Sequence, residues 1–137
     1  MTPDELRTAI RAAGLRATHQ RVAVLAILVA ADEPMSRADI TERLASAHER
    51  STLYRNLASL VAAKLVRRIE LGDRVWRFEY ARNTSPRFVC TRCGAIARIT
   101  ALRIDAARAK APRSVRRGEV EVQLRGLCDT CAGAERP

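Results

Sequence analysis

The sequence predicts an α+β protein with an N-terminal winged helix-turn-helix domain and a small C-terminal α/β domain that contains a four-cysteine zinc site. Two patterns lead to this fold class. An amphipathic helix that carries residues 50–57 precedes two alternating strands joined at Gly72-Asp73, and all the cysteines lie in the second half as Cys-x-x-Cys pairs. The polar, proline-containing segment 81–86 predicts a hinge. We therefore assign residues 1–80 to the first domain and 87–137 to the second.

A strongly basic balance accompanies these patterns. The 137 residues include 25 Lys or Arg and 15 Asp or Glu, a net charge of +10, which favours a polyanionic partner; a general bias of the composition toward arginine is the alternative explanation. No apolar run approaches the roughly 20 residues that a membrane span needs, and the first residues lack the basic-then-apolar order of a secretory signal. We therefore expect a cytoplasmic protein whose cysteines are reduced or metal-bound.

The first two helices are predicted from their caps. Thr2 caps a helix that Gly14 ends. Thr18 caps a second helix, which is apolar nearly all round and should lie at the centre of the domain. Arg16 and Arg21 stand at the exposed start of that helix, where they either contact phosphate or a minor groove or remain solvated.

Ser36 predicts the start of a third helix over residues 37–46, and a polar break at 47–49 leads into the helix expected to read DNA. One face of that helix is apolar at helical spacing and should be buried; its first members are Leu53, Leu57 and Leu60. The two histidines, His19 and His48, are expected to form local hydrogen bonds or, for His48, a phosphate contact, rather than to ligate metal.

The opposite face of this helix carries polar side chains near its N-terminal end, where helix amides favour an anion. Hydroxyls and a tyrosine there suit DNA phosphates, and an arginine suits a guanine edge. The alternating residues that follow predict a basic β-hairpin, the wing. The predicted DNA contacts are Arg16, Thr18, Arg21, Arg50, Ser51, Thr52, Tyr54, Arg55 and Arg74.

Patterns in the second half predict a small α/β domain. We expect a helix over 102–110, a basic loop over 112–118, and strands over 87–90, 95–99 and 119–124. A domain of this size needs a metal or a partner chain for stability.

The cysteines are Cys90, Cys93, Cys128 and Cys131. Two Cys-x-x-Cys knuckles supply the four sulfurs of a tetrahedral zinc site with no position left for water, so one structural zinc per chain is expected, without a catalytic role. Residues 94–127 separate the pairs, a longer gap than in a common zinc ribbon, so the metal should hold a distant segment against the first strand. The alternative is a thiol redox switch, in which oxidation ejects the metal.

Four segments together resemble the ferric uptake regulator (Fur) superfamily of bacterial metalloregulators. The resemblance implies a winged-helix domain, a hinge and a C-terminal dimerisation domain with a four-cysteine zinc, in a homodimer that reads a palindrome in double-stranded DNA. It also implies that Tyr54 and Arg55 contact the groove and phosphates and that Arg16 reaches a minor groove. The segments are Gly14-Leu15-Arg16-Ala17-Thr18-x-Gln20-Arg21; Ser51-Thr52-Leu53-Tyr54-Arg55-Asn56-Leu57 with Leu65-Val66; Val75-Trp76-Arg77-Phe78-Glu79; and Cys90-x-x-Cys93-Gly94 with Gly126-Leu127-Cys128-x-x-Cys131.

Compared with that family, the histidines of the sensed-metal site are missing. Residues 84–87 read Thr-Ser-Pro-Arg where a histidine-rich run is usual, and Val120 and Pro34-Met35 stand where further histidines are usual. Of the hinge site Glu79 remains, and one carboxylate does not hold a transition metal tightly. Arg87 either puts a fixed positive charge where the cation would sit or is an exposed arginine in a decayed site.

The sequence as a whole predicts a dimeric, sequence-specific transcriptional regulator, a repressor, whose DNA binding needs no sensed metal. One alternative is an antagonist paralogue that forms mixed dimers with a metalloregulator. Another is a redox sensor that acts through the zinc site. No catalytic constellation or glycine-rich phosphate loop appears, so we do not expect an enzyme.

Overall fold

The computed structural model describes residues 1–82, 86–102, 105, 110–117 and 120–135, and the chain divides into two units, Met1–Asn83 and Thr84–Pro137. The first unit contains α1 (Pro3–Ala12), α2 (His19–Ala30), β1 (Met35–Ser36), α3 (Arg37–Arg43), α4 (Ala47–Ser51), α5 (Leu53–Ala62), β2 (Val66–Glu70) and β3 (Trp76–Tyr80). The second contains β4 (Arg87–Cys90), β5 (Ile96–Arg98), α6 (Arg113–Arg116), β6 (Gln123–Gly126) and α7 (Asp129–Glu135). Residues 83–85 of the predicted hinge lie outside the described residues, so the hinge stays a prediction.

α1 and α2 begin at the caps that the sequence predicts. The Thr2 side chain accepts a hydrogen bond from the Glu5 amide at 3.2 Å, and the Glu5 carboxylate accepts one from the Thr2 amide at 2.9 Å. This reciprocal pair satisfies amides that the first helical turn leaves free. Gly14, at φ +86°, ends the first helix in a left-handed conformation that glycine adopts without strain. Thr18 caps α2 by accepting a hydrogen bond from the Arg21 amide.

α2 and α5 supply much of the core of the first unit. Buried side chains of both helices pack with those of α1, α3 and the wing in one apolar cluster. Leu53, Leu57 and Leu60 are at most 4% exposed, which confirms the predicted apolar face of α5. Burying one such side chain is worth about 1.5–3 kcal/mol, so α5 is fixed on this face and keeps its polar face at the surface. No helix in the described part of the chain is both long and apolar enough to cross a membrane.

α3 is shorter than predicted. It ends at Arg43, not at Ser46, because Leu44 turns into an extended conformation (φ −77°, ψ 139°). The Leu44 side chain is nevertheless buried, at 5% exposed. Leu44 therefore contributes to the core from outside the helix.

The predicted break at 47–49 is wrong, because these residues begin α4. The Ser46 side chain accepts a hydrogen bond from the Glu49 amide at 3.0 Å and so caps a short helix. Thr52 ends α4 and starts α5. Arg50 and Ser51 therefore lie on α4 and not on the helix that carries Tyr54.

β2 and β3 form the predicted antiparallel hairpin, and β1 pairs with the other side of β3. The loop is longer than the predicted Gly72-Asp73 turn, since the strands end at Glu70 and resume at Trp76. The Glu70 carboxylate accepts hydrogen bonds from the amides of Gly72 and Arg74. These amides bond within the loop and not across the hairpin, which shortens both strands.

β4 is the central strand of the second unit, antiparallel to β5 and parallel to β6. The predicted strand 87–90 is confirmed, and the one predicted over 95–99 is confined to Ile96–Arg98. The strand predicted over 119–124 is displaced to Gln123–Gly126. Its position follows from its register, in which Arg87 pairs with Gln123 and Cys90 with Gly126.

Two other elements of the second unit differ from the sequence prediction. The predicted basic loop at 112–118 contains the single turn of α6, and α7 was not predicted. The helix predicted over 102–110 falls largely outside the described residues. Alternating apolar residues had indicated the strands, but so short a helix as α6 leaves no periodic signal.

Candidate DNA interface and metal centre

The first cysteine pair forms a tight turn at the end of β4. The Cys90 amide donates to the Ala95 carbonyl at 2.9 Å, and Gly94 adopts φ +78°. The Cys93 amide donates to Cys90 Sγ at 3.5 Å, and the Ala95 amide donates to Cys93 Sγ at 3.4 Å. Backbone amides therefore fix the positions of both sulfurs.

The second cysteine pair is brought beside the first by strand pairing. β6 runs parallel to β4 with Gly126 opposite Cys90, so the residues that follow β6 reach the first turn. The Cys128 amide donates to Cys90 Sγ at 3.4 Å, and the Cys131 amide donates to Cys128 Sγ at 3.4 Å. All four Sγ atoms lie within 4.8 Å of one another, as the sequence predicts.

The spacing of these sulfurs fits a metal ion. Sulfurs at the corners of a tetrahedron, each about 2.3 Å from a zinc ion, are about 3.8 Å apart. Cys93 Sγ and Cys128 Sγ are 3.8 Å apart. Within the described residues, this cluster is the one group of three or more Cys, His, Asp or Glu side chains placed to hold a metal ion.

The contacts within the cluster separate its thiols by acidity. Hydrogen bonds from the amides of Cys93 and Cys128 lower the pKa of Cys90 to about 6. The hydrogen bond with the Cys128 side chain raises the pKa of Cys131 to about 12. Thiolates this close repel one another, so a cation must bind before all four can ionise, and binding releases protons. The affinity of the cluster for metal therefore falls as the pH falls.

The first unit contains a basic pocket where the loop before α2, the start of α2, α4 and α5 meet. Its volume is about 400 Å³, and the described residues that line it include no acidic side chain. It brings together five of the nine predicted DNA contacts. The lining residues are Arg16, Thr18, Gln20, Arg21, His48, Thr52, Arg55, Asn56 and Ser59.

Arg21 is held inside the basic pocket. Its Nη1 donates to the Arg16 carbonyl at 2.9 Å and its Nη2 to Ser59 Oγ at 3.5 Å, so it connects the loop before α2 with α5. Its Nε is buried and has no hydrogen-bond acceptor among the described residues. The side chains of Arg16 and Arg55 are exposed and make no hydrogen bond or ion pair within the described part of the chain.

The remaining predicted contacts lie outside the basic pocket. Arg50 donates to the Leu44 carbonyl at 3.2 Å, and the Ser51 hydroxyl donates to the His48 carbonyl at 2.9 Å. Both side chains thus bond backbone carbonyls near α4. Arg74 is exposed on the wing loop at φ +63°.

Tyr54 is an exposed large hydrophobic side chain of α5, with 69% of its surface accessible. The guanidinium carbon of Arg37, on α3, lies 5.5 Å from the centre of its ring. This distance is within the range of a cation–π interaction. Arg37 thus restrains a side chain that otherwise extends into solvent.

Four residues of the basic pocket and its surroundings were not predicted from the sequence, namely Gln20, Asn56 and Ser59 in the pocket and Arg37 beside Tyr54. Thr52, Asn56 and Ser59 recur at the spacing of one helical face, so a count from Thr52 along α5 would have found the last two. Gln20 lies within the segment that carries the family resemblance but was not among the predicted contacts. Nothing in the sequence pairs Arg37 with Tyr54, because their contact joins different helices.

Glu79 and Arg87, which stand where the family's sensed-metal site is usual, both form ion pairs. Arg67 Nη2 lies 2.6 Å from Glu79 Oε1, and the Glu79 side chain is 3% exposed. Arg87 Nη1 lies 3.1 Å from Glu121 Oε1. Arg87 is 5% exposed, so the expectation of an exposed arginine at this position is wrong.

A helical unit that ends in a β-wing, followed by an α/β unit with a four-cysteine cluster, defines a class of winged-helix DNA-binding proteins with a metal-holding second domain. Within this class, the chain belongs to the ferric uptake regulator family, whose model matches residues 12–125. The family consists of transcription regulators, which is the class that the sequence predicts. No curated relative matches the chain.

Solved structures of Fur proteins are similar over nearly the whole chain. The Pseudomonas aeruginosa ferric uptake regulator with manganese is 27% identical with a TM-score of 0.71, over 94% of this chain and 99% of that one. The Helicobacter pylori regulator, described with three functional metal-binding sites, is 20% identical with a TM-score of 0.64, over 99% and 97%. The Francisella tularensis regulator with iron is 20% identical with a TM-score of 0.63, over 87% and 96%. The latter two support the fold alone.

Proposed function

We propose that this protein is a cytoplasmic homodimeric repressor that binds a palindromic operator in double-stranded DNA. The first unit binds DNA, the second dimerises and holds one structural zinc per chain, and DNA binding requires no further metal. Family membership supports the regulator class. The dimer and the palindrome rest on the resemblance to Fur proteins.

The observation that carries the DNA-binding proposal is the placement of the polar face of α5 beside the basic pocket. The buried leucine face fixes α5, so Tyr54 and Arg55 extend from its exposed side. Arg16 and Arg55 have no acidic partner within the described residues. Cations held without counter-charges next to an exposed helix suit phosphates and base edges.

Zinc is the metal that best fits the cysteine cluster. Four thiolates at tetrahedral spacing are the donor set of structural zinc sites, and they leave no position for a substrate or water. The residues that would hold it are Cys90, Cys93, Cys128 and Cys131. Bound there, zinc would connect the turn after β4 with the start of α7.

The ion pairs support DNA binding without a sensed metal. The Glu79 carboxylate already has a positive partner in Arg67, 2.6 Å away. Arg87 is buried with a partner of its own, Glu121. A metal cation that bound Glu79 would have to displace the Arg67 guanidinium. This guanidinium is part of the chain and is therefore always present beside the carboxylate.

DNA binding by chelator-treated protein, with bound metal measured on the same sample, tests this proposal. Genomic fragments would be selected in the presence of the chelator at fixed salt, since affinity depends on salt. We expect specific binding by protein that retains about one zinc per chain, and no change on adding iron, manganese or zinc. Binding that appears only with added metal would contradict metal independence, and a monomer in sedimentation would contradict the dimer.

A redox sensor is the second candidate function, and the exposure of Cys93 favours it. Cys93 Sγ is 3.8 Å from Cys128 Sγ, and the Cys93 side chain is accessible to solvent. A peroxide would accept two electrons as these thiols form a disulfide, with loss of the metal. Peroxide-treated protein that keeps both its metal and its DNA affinity would rule this function out.

A further inference from the structure

The basic pocket of the first unit has the properties of a binding site for a single phosphate group. We propose that it binds one phosphate, either from the DNA backbone or free in solution, through the guanidinium groups of Arg16, Arg21 and Arg55. The proposal deepens the proposed function for the DNA phosphate, whereas binding of free phosphate does not depend on it.

Charge is the first argument for this site. Three arginines from two separate parts of the chain line one concavity, and its described lining contains no carboxylate. Like charges in a shared pocket repel one another. An anion at their centre removes that repulsion, so the pocket favours a ligand with more than one negative charge.

Unused hydrogen-bond donors are the second argument. The guanidinium groups of Arg16 and Arg55 have no partner among the described residues, and Arg21 Nε is buried without an acceptor. A buried donor without an acceptor destabilises the folded protein. Guanidinium groups bind phosphate oxygens with paired hydrogen bonds, which chloride cannot reproduce.

The way the pocket is held together is the third argument. Arg21 connects the Arg16 carbonyl with Ser59, and Asn56 donates to Thr52 Oγ1 at 3.2 Å. These bonds fix the walls on α2 and α5 before a ligand arrives. The exposed Arg16 and Arg55 remain able to move onto a phosphate at the mouth of the pocket.

One consequence separates this site from general electrostatic attraction. Salt weakens DNA binding through the release of counterions condensed on the DNA, an effect that grows with salt concentration. A phosphate site predicts in addition that inorganic phosphate competes with DNA more strongly than chloride at equal ionic strength. The competition should depend on the pocket arginines and not on arginines elsewhere in the first unit.

The experiment titrates the full-length, DNA-free protein with inorganic phosphate at constant ionic strength, by calorimetry and thermal unfolding. We expect saturable binding that is about tenfold weaker in Arg55→Gln and Arg16→Gln, the equivalent of one charged hydrogen bond. At Arg21 the substitution is Arg21→Lys, which keeps the positive charge and so lowers the risk that the first unit unfolds. Arg11→Gln changes the charge equally on the exposed end of α1 and should bind phosphate like the parent protein.

A second arm separates the two sources of phosphate. Operator DNA with single neutral methylphosphonate linkages would be tested for a position where affinity falls in the parent protein but not in Arg55→Gln. Such a position with no free-phosphate binding supports the DNA backbone alone as the source. Free-phosphate binding without DNA binding supports the pocket and contradicts the proposed function. No phosphate binding with no such position, or an equal loss in Arg11→Gln, would overturn the pocket.

Discussion

The cysteine cluster and the basic pocket concentrate charges of opposite sign, and they differ in how firmly the charged groups are held. In the cluster, backbone amides hold sulfurs within 4.8 Å of one another, the spacing that one bound cation requires. In the pocket, long side chains surround about 400 Å³, and two of the arginines extend freely into solvent. From this difference we propose that the cluster holds one permanent ion, whereas the pocket binds a ligand that exchanges.

The largest effect is expected from Cys93→Ser, which removes one ligand from the cluster. In a unit this small, the free energy of zinc binding supplies much of the free energy of folding. The variant should therefore lose its metal, and its second unit should unfold. The measurements are bound zinc and the unfolding transition. A matched variant, Thr91→Ser, changes an exposed residue of the same turn and should keep both. A metal-free Cys93→Ser that stays folded would contradict the permanent role of the ion.

A smaller loss is expected where an arginine already has a carboxylate partner. Arg67→Gln removes the guanidinium that lies 2.6 Å from the buried Glu79 carboxylate, at a cost of about 3 kcal/mol of unfolding free energy. Denaturant unfolding measures it, and Arg67→Gln combined with Glu79→Gln should recover much of the loss, since no charge remains buried. If the double variant is no more stable than Arg67→Gln, the ion pair is not the cause.

DNA affinity should respond to the arginines that have no partner. Arg55→Ala is expected to weaken operator binding by about 1–3 kcal/mol while dimerisation and stability remain unchanged. Arg11→Ala is the control for loss of one charge in the same unit. Titrations at several salt concentrations separate the loss of a DNA contact in Arg55→Ala from the general loss of one charge in Arg11→Ala. An unchanged affinity in Arg55→Ala would remove this residue from the DNA interface.

The smallest effect is expected from Arg37→Ala, which acts through Tyr54. Loss of a surface cation–π contact is worth about 0.5–1 kcal/mol, and here it should appear in operator affinity because Tyr54 becomes less restrained. The same substitution in a Tyr54→Ala background should have no further effect. If it does, Arg37 contacts DNA by itself.

The sequence was most informative where function depends on local spacing. Each Cys-x-x-Cys pair is a single turn, and Thr2, Thr18 and Ser36 cap helices within three residues of themselves. Such contacts can be predicted without a fold. The leucine face of α5 also followed from periodicity alone.

Contacts between distant segments were beyond the sequence. Arg16, Arg21 and Arg55 were each predicted to bind DNA, but only the packing of α2 against α5 joins them in one pocket. The start of β6 depends on its register with β4, and α4 depends on a cap at Ser46 that looked like part of a longer helix. An arginine-rich composition gives no means of separating Arg87, which is buried and paired, from Arg55, which is neither.

The ion pair between Arg67 and Glu79 also bears on how such a chain changes over generations. Losing the arginine first removes the cation that lies 2.6 Å from a buried carboxylate, and losing the carboxylate first removes the anion that faces a partly buried guanidinium. Either order passes through a less stable intermediate, which selection removes when stability is marginal. The two positions should therefore be inherited as a unit, and descendants that alter one should be found to have altered the other.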